Sequence, residues 1–207
     1  RYPSLDLDSE GYLHISYYNR TSKDLVYATN KHGYFTHTVI DSVGDVGKSN
    51  SIYVDNNQTV HIAYNDYSFN RLKYAVIWSN NTYSSYVVDQ SAYVADDTTS
   101  ILVDESDGTI HISYSKNSDV FHAKSIIGSN SWSYSKVDDY QYSSMAIDSN
   151  GHLHIASYSQ SSFGTPGRNL RYSFSTDNMN WNTTIIDSQD LSGYGPTIDV
   201  DSNGTLH

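Results

Sequence analysis

One short pattern recurs five times along this 207-residue chain: an apolar pair, an Asp, a polar turn, and an apolar-His-apolar segment. The anchor carboxylates are Asp8, Asp55, Asp104, Asp148 and Asp201, and the matching imidazoles are His14, His61, His111, His154 and His207. Both series step by about 43 to 53 residues. A period of that length marks an array of equivalent units that bury their faces on one another, not one irregular core.

Each unit reads as strands. Ser4-Leu5-Asp6-Leu7 and Leu13-His14-Ile15-Ser16-Tyr17 alternate with period two, and the Asp/Gly-rich turn between them makes a β-hairpin. Asp148-Ser149-Asn150-Gly151 and Asp201-Ser202-Asn203-Gly204 show the same turn most clearly. A third strand follows at Leu25–Ala28, Leu72–Ala75, Val120–Ala123 and Leu170–Ser173. A fourth runs from an aromatic to an Asp six residues on: Phe35 to Asp41, Tyr83 to Asp89, Trp132 to Asp138, Trp181 to Asp187. Helical apolar spacing is absent, and 20 Tyr with many Ser and Asn favour strands and turns.

The expected fold is therefore all-β: a β-propeller of four-stranded antiparallel blades, with four complete repeats (about 1–48, 49–97, 98–142 and 143–195) and a partial fifth (196–207). One domain spans 1–207. Closing a ring needs strands from both termini, so the chain reads as an excerpt of a longer polypeptide with five or more blades; a self-contained four-unit ring is the lesser alternative.

Acidic residues exceed basic ones, 23 to 12, and only Glu10 and Glu105 are Glu. This balance disfavours nucleic acid and anionic membranes. No run approaches the roughly 18 apolar residues of a membrane-spanning helix. The absence of Cys removes disulfides, thiol catalysis and Cys-based zinc sites. Richness in Ser, Asn, Thr and Tyr points to an extracellular or cell-surface protein. Asn19, Asn57, Asn80, Asn182 and Asn203 head N-glycosylation sequons, at about the number chance supplies in such a composition.

The repeated unit, a Ser/Pro-apolar-Asp segment, a turn, His-Ile-Ser-Tyr, Leu-Lys-Tyr-Ala and the aromatic-to-Asp strand, resembles the sialidase-type, BNR-like β-propeller repeats of extracellular prokaryotic proteins. The Asp-box of that superfamily finds its best match at Ser175-Thr176-Asp177-Asn178-Met179-Asn180-Trp181, which lacks the Gly and is one residue short. The resemblance implies a fold more than an activity. A sialidase-like hydrolase would need three Arg for a substrate carboxylate, for which Arg20, Arg71 and Arg168 are the candidates, and a Tyr–Glu nucleophile pair. Both Glu residues fall in first-to-second strand turns, away from the proposed ligand face.

That face is the one carrying the longer second-to-third and last-to-first strand connections, since variable loops on a rigid scaffold are where recognition sits. Candidate ligand-binding residues are Arg20, Tyr67, Arg71, Tyr93, Tyr140, Tyr142, Arg168 and Tyr194, with Phe69 beside them. The five repeated His, each in the same slot of its strand, read as structural, as do their Asp partners. No cofactor is expected; Ca²⁺ held by Asp45, Asp96, Asp97, Asp139 or Asp190 is the alternative.

The function expected from these residues is a non-catalytic binding, adhesion or assembly module, carbohydrate-binding through its variable loops. The alternatives are a sialidase-like glycoside hydrolase or a polysaccharide lyase, and a purely structural subunit of a surface layer or filament. The implied partners are a glycan, a surface protein, or a second copy added at an open terminal strand.

Overall fold

The computed structural model describes residues 1–90, 98–139, 141–158, 169–188 and 195–207. Their strands form four antiparallel four-stranded sheets, each in simple chain order. The first holds β1 (Ser4–Leu7), β2 (Leu13–Asn19), β3 (Asp24–Thr29) and β4 (Thr36–Asp41). The second holds β5 (Val46–Val54), β6 (Val60–Asp66), β7 (Arg71–Ile77) and β8 (Tyr83–Asp89). The third comprises β9 (Thr99–Asp104), β10 (Thr109–Lys116), β11 (Asp119–Ile126) and β12 (Ser133–Asp138), and the fourth β13 (Gln141–Ile147), β14 (Leu153–Tyr158), β15 (Leu170–Ser175) and β16 (Asn182–Asp187). Two compact units divide them: Arg1–Asp96 carries the first two sheets and Asp97–His207 the last two. In the fifth repeat Val200 bridges Leu206, and Asp199 and His207 exchange backbone hydrogen bonds. No helix among the described residues is long and apolar enough to cross a membrane.

The recurring Asp explains why each hairpin closes. Asp8 Oδ1 accepts from the backbone N–H of Glu10 (3.0 Å) and Tyr12 (2.9 Å). Asp55 Oδ1 does the same for Asn57 and Thr59, Asp148 Oδ1 for Asn150 and His152, and Asp201 Oδ1 for Asn203 and Thr205. These side-chain bonds hold a turn that the backbone alone would leave open. The second oxygen reaches the repeated imidazole: Asp8 Oδ2 lies 3.3 Å from His14 Nε2, and Asp55 Oδ2 3.4 Å from His61 Nε2. The other ring nitrogen meets a phenol on the third strand, His14 with Tyr27 (2.6 Å), His61 with Tyr74 (2.7 Å) and His154 with Tyr172 (2.8 Å). The buried imidazole is thereby satisfied at both nitrogens in the first two sheets.

Inside the first unit the two sheets share one core that includes Leu25, Tyr27 and Ile40 from the first and Ile52, Ile62, Tyr64 and Ile77 from the second. Strand β6 is buried on both faces, whereas β4 is exposed from His37 to Val39 and buried only at its end. Each large side chain so buried contributes about 1.5–3 kcal/mol. Polar contacts also join the sheets. Ser4 Oγ and Asp6 Oδ2 accept from the β5 backbone at Ile52 (3.2 Å) and Val54 (2.7 Å). In the second unit Thr98 Oγ1 and Ser100 Oγ accept likewise from Ser143 and Met145 of β13. The first strand of each sheet is an edge, and these side chains satisfy N–H groups that its own sheet leaves unpaired. A further tie links the end of one sheet to the middle of the next: Asp41 of β4 receives the Tyr64 hydroxyl (2.7 Å) and pairs with the Lys73 ammonium, both buried. In the second unit Asp138 pairs with Arg171 in the same manner, at 2.8 Å.

Candidate functional site

Within the first unit the β4–β5 and β6–β7 connections lie against each other. Tyr67 N donates to the Asp45 carbonyl (2.8 Å), and Asp45 N donates to Ser68 Oγ (2.8 Å). Gly44, at φ +93°, permits this approach, because a Cβ there would stand 2.6 Å from Ser68 Oγ. Around this junction a polar and aromatic cluster assembles. Tyr18, near the end of β2, donates its hydroxyl to Asp45 Oδ1 (2.9 Å), while Lys48 Nζ lies 3.4 Å from Asp45 Oδ2. The same ammonium sits 3.8 Å from the centre of the Tyr67 ring and 5.6 Å from that of Tyr18, in cation–π range. Tyr2 packs edge-on to Tyr18.

Next along the β6–β7 connection, Asp66 Oδ2 accepts from Arg71 Nε (2.8 Å) and Asp66 Oδ1 from the Phe69 backbone (3.2 Å). The Arg71 guanidinium lies 4.6 Å from the Phe69 ring centre. Tyr67 is 41% exposed and Phe69 58%, so two aromatic rings stand open to solvent beside fixed charges. The Asp45 side chain is one-fifth exposed, whereas that of Asp66 is fully buried. Burial first, and then the bond to Asp45, push the Tyr18 phenol up to about 12, so it stays a proton donor to that carboxylate at neutral pH.

The structure brings together Tyr67 and Arg71 of the sequence-derived candidates, with Phe69. Arg20, exposed on the β2–β3 turn, reaches the cluster only as a charge felt by Tyr18. Tyr142 belongs to the second unit, at φ +57°, where its ring packs against Tyr158. Tyr93, Tyr140, Arg168 and Tyr194 lie outside the described residues, as do Asp96, Asp97 and Asp190. Of the Ca²⁺ candidates, Asp45 is engaged by Tyr18 and Lys48, and Asp139 by Lys136 (2.5 Å). Among the described residues no group of three His, Asp or Glu is placed to hold a metal ion. Tyr18, Lys48 and Asp66 escaped the sequence reading because each sits within or at the end of a strand, where a polar residue looks like ordinary alternation.

The Asp-box-like segment forms the β15–β16 turn. Asp177 accepts from the backbone of Met179 (3.0 Å) and Asn180 (2.8 Å), and these and the Asn180 side chain hold its carboxyl below the usual range.

No protein-family model and no curated protein matches the sequence. Solved structures do. An α-L-arabinanase of Penicillium chrysogenum, complexed with arabinobiose, matches at TM-score 0.65 and 15% identity over 99% of this chain and 73% of its own. An α-L-arabinofuranosidase of Podospora anserina, in complex with cellotriose, matches at TM-score 0.58 and 11% identity over 96% of this chain and 71% of its own. An exo-β-1,3-galactanase of Clostridium thermocellum matches at 0.55 and 12% over 88% and 47%. The fold is that of a β-propeller. A specifically sialidase-type repeat is not established by these likenesses, and neither self-assembly nor a surface-protein partner gains support from them.

The expectation of a non-catalytic module, and of a protein more readily a binder than an enzyme, is corrected by these comparisons, which fall on glycoside hydrolases. A Tyr–Glu nucleophile pair is the requirement of one class of glycoside hydrolase, whereas glycosidic cleavage in general takes its carboxylates from Asp as readily as from Glu. This chain is rich in Asp.

Proposed function

We propose that this chain forms part of a glycoside hydrolase that binds its glycan across the Tyr67–Phe69 surface, with Asp45 as a reacting carboxylate. The observation that carries this reading is the pairing of two open aromatic rings with an accessible carboxylate held by two donors. A sugar presents apolar C–H faces and rings of hydroxyls, and an aromatic plane beside charged groups suits both.

Cleavage proceeds through an oxocarbenium-like transition state flanked by two carboxyl groups. Asp45 receives the Tyr18 hydroxyl and faces the Lys48 ammonium, an arrangement suited to a carboxylate acting as base or nucleophile and unsuited to a proton donor. Arg71, oriented by Asp66 and stacked on Phe69, offers its remaining N–H groups to sugar hydroxyls. The enzymes with matching folds suggest arabinose- and galactose-containing polysaccharides as substrates.

The test is release of reducing sugar from arabinan, arabinoxylan and β-1,3-galactan by the protein. Asp45→Asn is expected to lower kcat by about 10²-fold or more, and Tyr67→Ala to raise KM with little change in kcat. Full activity in Asp45→Asn, or no turnover of any of the three polymers, would overturn the reading.

A further inference from the structure

Strand β5 keeps its pairing with β6 only through two register shifts. Val46 faces Asp66, Lys48 faces Asn65 and Ser51 faces Ala63, so β5 carries an extra residue on each side of Lys48. The shift after Lys48 follows the repeat: Ser49, at φ +47°, stands six residues before Asp55, and Tyr2, Tyr142 and Gly195 hold the same slot at φ +51°, +57° and +65°. Strand β13, with Tyr142 in that slot, has this one shift alone. The shift before Lys48, at Gly47 (φ +98°), is an addition in β5. A bulge turns the neighbouring side chain to a new direction, and bulges gather beside active sites.

Neighbours fix the backbone on both sides of Lys48. A Cβ on Gly47 would stand 2.7 Å from the Leu25 Cα, and Val46 N donates to the Lys23 carbonyl (3.0 Å). The Gly47 carbonyl accepts from Asn50 Nδ2 (2.8 Å), and Asn50 Oδ1 accepts in turn from the Ser16 hydroxyl (2.5 Å). So aimed, the Lys48 side chain is only 15% exposed, an unusual degree of burial for a lysine. Its ammonium lies 3.4 Å from Asp45 Oδ2 and 3.8 Å from the centre of the Tyr67 ring. Those two partners belong to different connections, β4–β5 and β6–β7, and one cation spans both.

A cation over an aromatic face is attracted by the ring's charge distribution and holds that face. The sugar is left the other face, and the angle of the ring then decides how the bound sugar stands to the carboxylate. Small misplacements of a reacting bond are costly in rate. We propose that Lys48 is a positioning residue, which sets the Tyr67 ring against Asp45 and so orients the glycan for reaction. This role rests on the reading of the surface as that of a glycoside hydrolase, and adds to it the group that ties its two halves together.

Release of reducing sugar from arabinan is followed for Lys48→Met, Lys48→Arg, Tyr67→Ala and the double change of Lys48→Met with Tyr67→Ala. Lys48→Met keeps the apolar stem and removes the charge. It is expected to raise KM and lower kcat, each by about three- to tenfold, and Lys48→Arg to recover most of both. The KM effect is expected to disappear once Tyr67 is Ala. A KM effect of full size in that background would make Lys48 a direct sugar contact, and unchanged kinetics in Lys48→Met would remove it from the site; either overturns the proposal. A second readout needs no turnover. In protein labelled with 3-fluorotyrosine, the Tyr67 resonance, identified by its loss in Tyr67→Phe, is expected to narrow in Lys48→Met as the ring is released and to keep its width in Lys48→Arg. The same width in Lys48→Met overturns the positioning role, whereas a narrowed resonance with no turnover by the parent protein refutes the hydrolase alone.

Discussion

The hydroxyl of Tyr74 lies 2.7 Å from Nδ1 of His61, both side chains buried between strands of one sheet. The same contact joins His14 to Tyr27 and His154 to Tyr172, so it belongs to the repeat and not to a site. Tyr74→Phe is expected to destabilise the protein by about 1–2 kcal/mol, the cost of leaving a buried imidazole nitrogen unpaired. His61→Ala, which adds a cavity, is expected to cost about 3 kcal/mol. Urea unfolding measures both, with an unchanged slope showing that the effect is on stability alone.

The Asp41–Lys73 pair ties the first sheet to the second. Burial alone would raise the Asp41 carboxyl, but Lys73, the Tyr64 hydroxyl and the Val43 N–H together hold it below its ordinary value. Lys73→Met leaves that carboxylate buried without its cation, and a loss of about 3–5 kcal/mol is expected. Replacing both residues by apolar ones is expected to cost much less than the sum of the single changes, because no charge is then stranded. A double-mutant cycle read by thermal unfolding checks this.

Stability is expected to fall with acid in two stages. Burial, the largest influence, takes His111 down to about 4 from an ordinary 6.5, so below pH 6.5 the unfolded chain takes a proton that the folded one refuses. About 3 kcal/mol is lost from this group as pH falls from 6.5 to 4. The turn carboxylates act lower. At Asp148 burial is outweighed by the backbone donors of His152 and Asn150, and the carboxyl is held at about 2, so its contribution is present above pH 4 and disappears as pH falls toward 2. His122→Tyr, which removes a second imidazole that burial holds well below its ordinary value, is expected to flatten the first stage and leave the second. Unchanged slopes in both would show that the imidazole pair does not govern acid stability.

Gly47, at φ +98°, lies so close to the first sheet that a Cβ on it would stand 2.7 Å from the Leu25 Cα. The obstacle is backbone and cannot rotate away. Gly47→Ala is expected to cost at least about 2 kcal/mol, through the strained φ and the collision together. A melting temperature within a degree of the parent protein would contradict this.

The sequence alone was enough to determine the four-stranded antiparallel unit, its turns and its structural imidazoles. Those features are local: an Asp six residues before a His, or an aromatic six before an Asp, places partners within one sheet, where period and register bring them together. The fourth strand ending at Asp41, Asp89, Asp138 or Asp187 was legible for that reason; it starts at the aromatic Tyr83 in the second sheet and one residue after Phe35, Trp132 and Trp181 in the others. Contacts between sheets were not. Asp41 with Lys73 is 32 residues apart and Tyr18 with Asp45 is 27, and nothing in the local pattern of either residue names the other. Only the packing of one sheet on the next decided that Asp45, Lys48 and Tyr67 share a surface, and that Asp66 is withdrawn beneath Arg71. The same holds for Lys124: as a sequence position it is one polar residue in a strand, and it meets the Asp107 carboxylate in a groove only when the turn before His111 and the β11–β12 hairpin close around it. A repeat dictates what its copies have in common, through short-range geometry. Function rests on where one copy differs and on what lies across from the difference, and that is set by long-range packing.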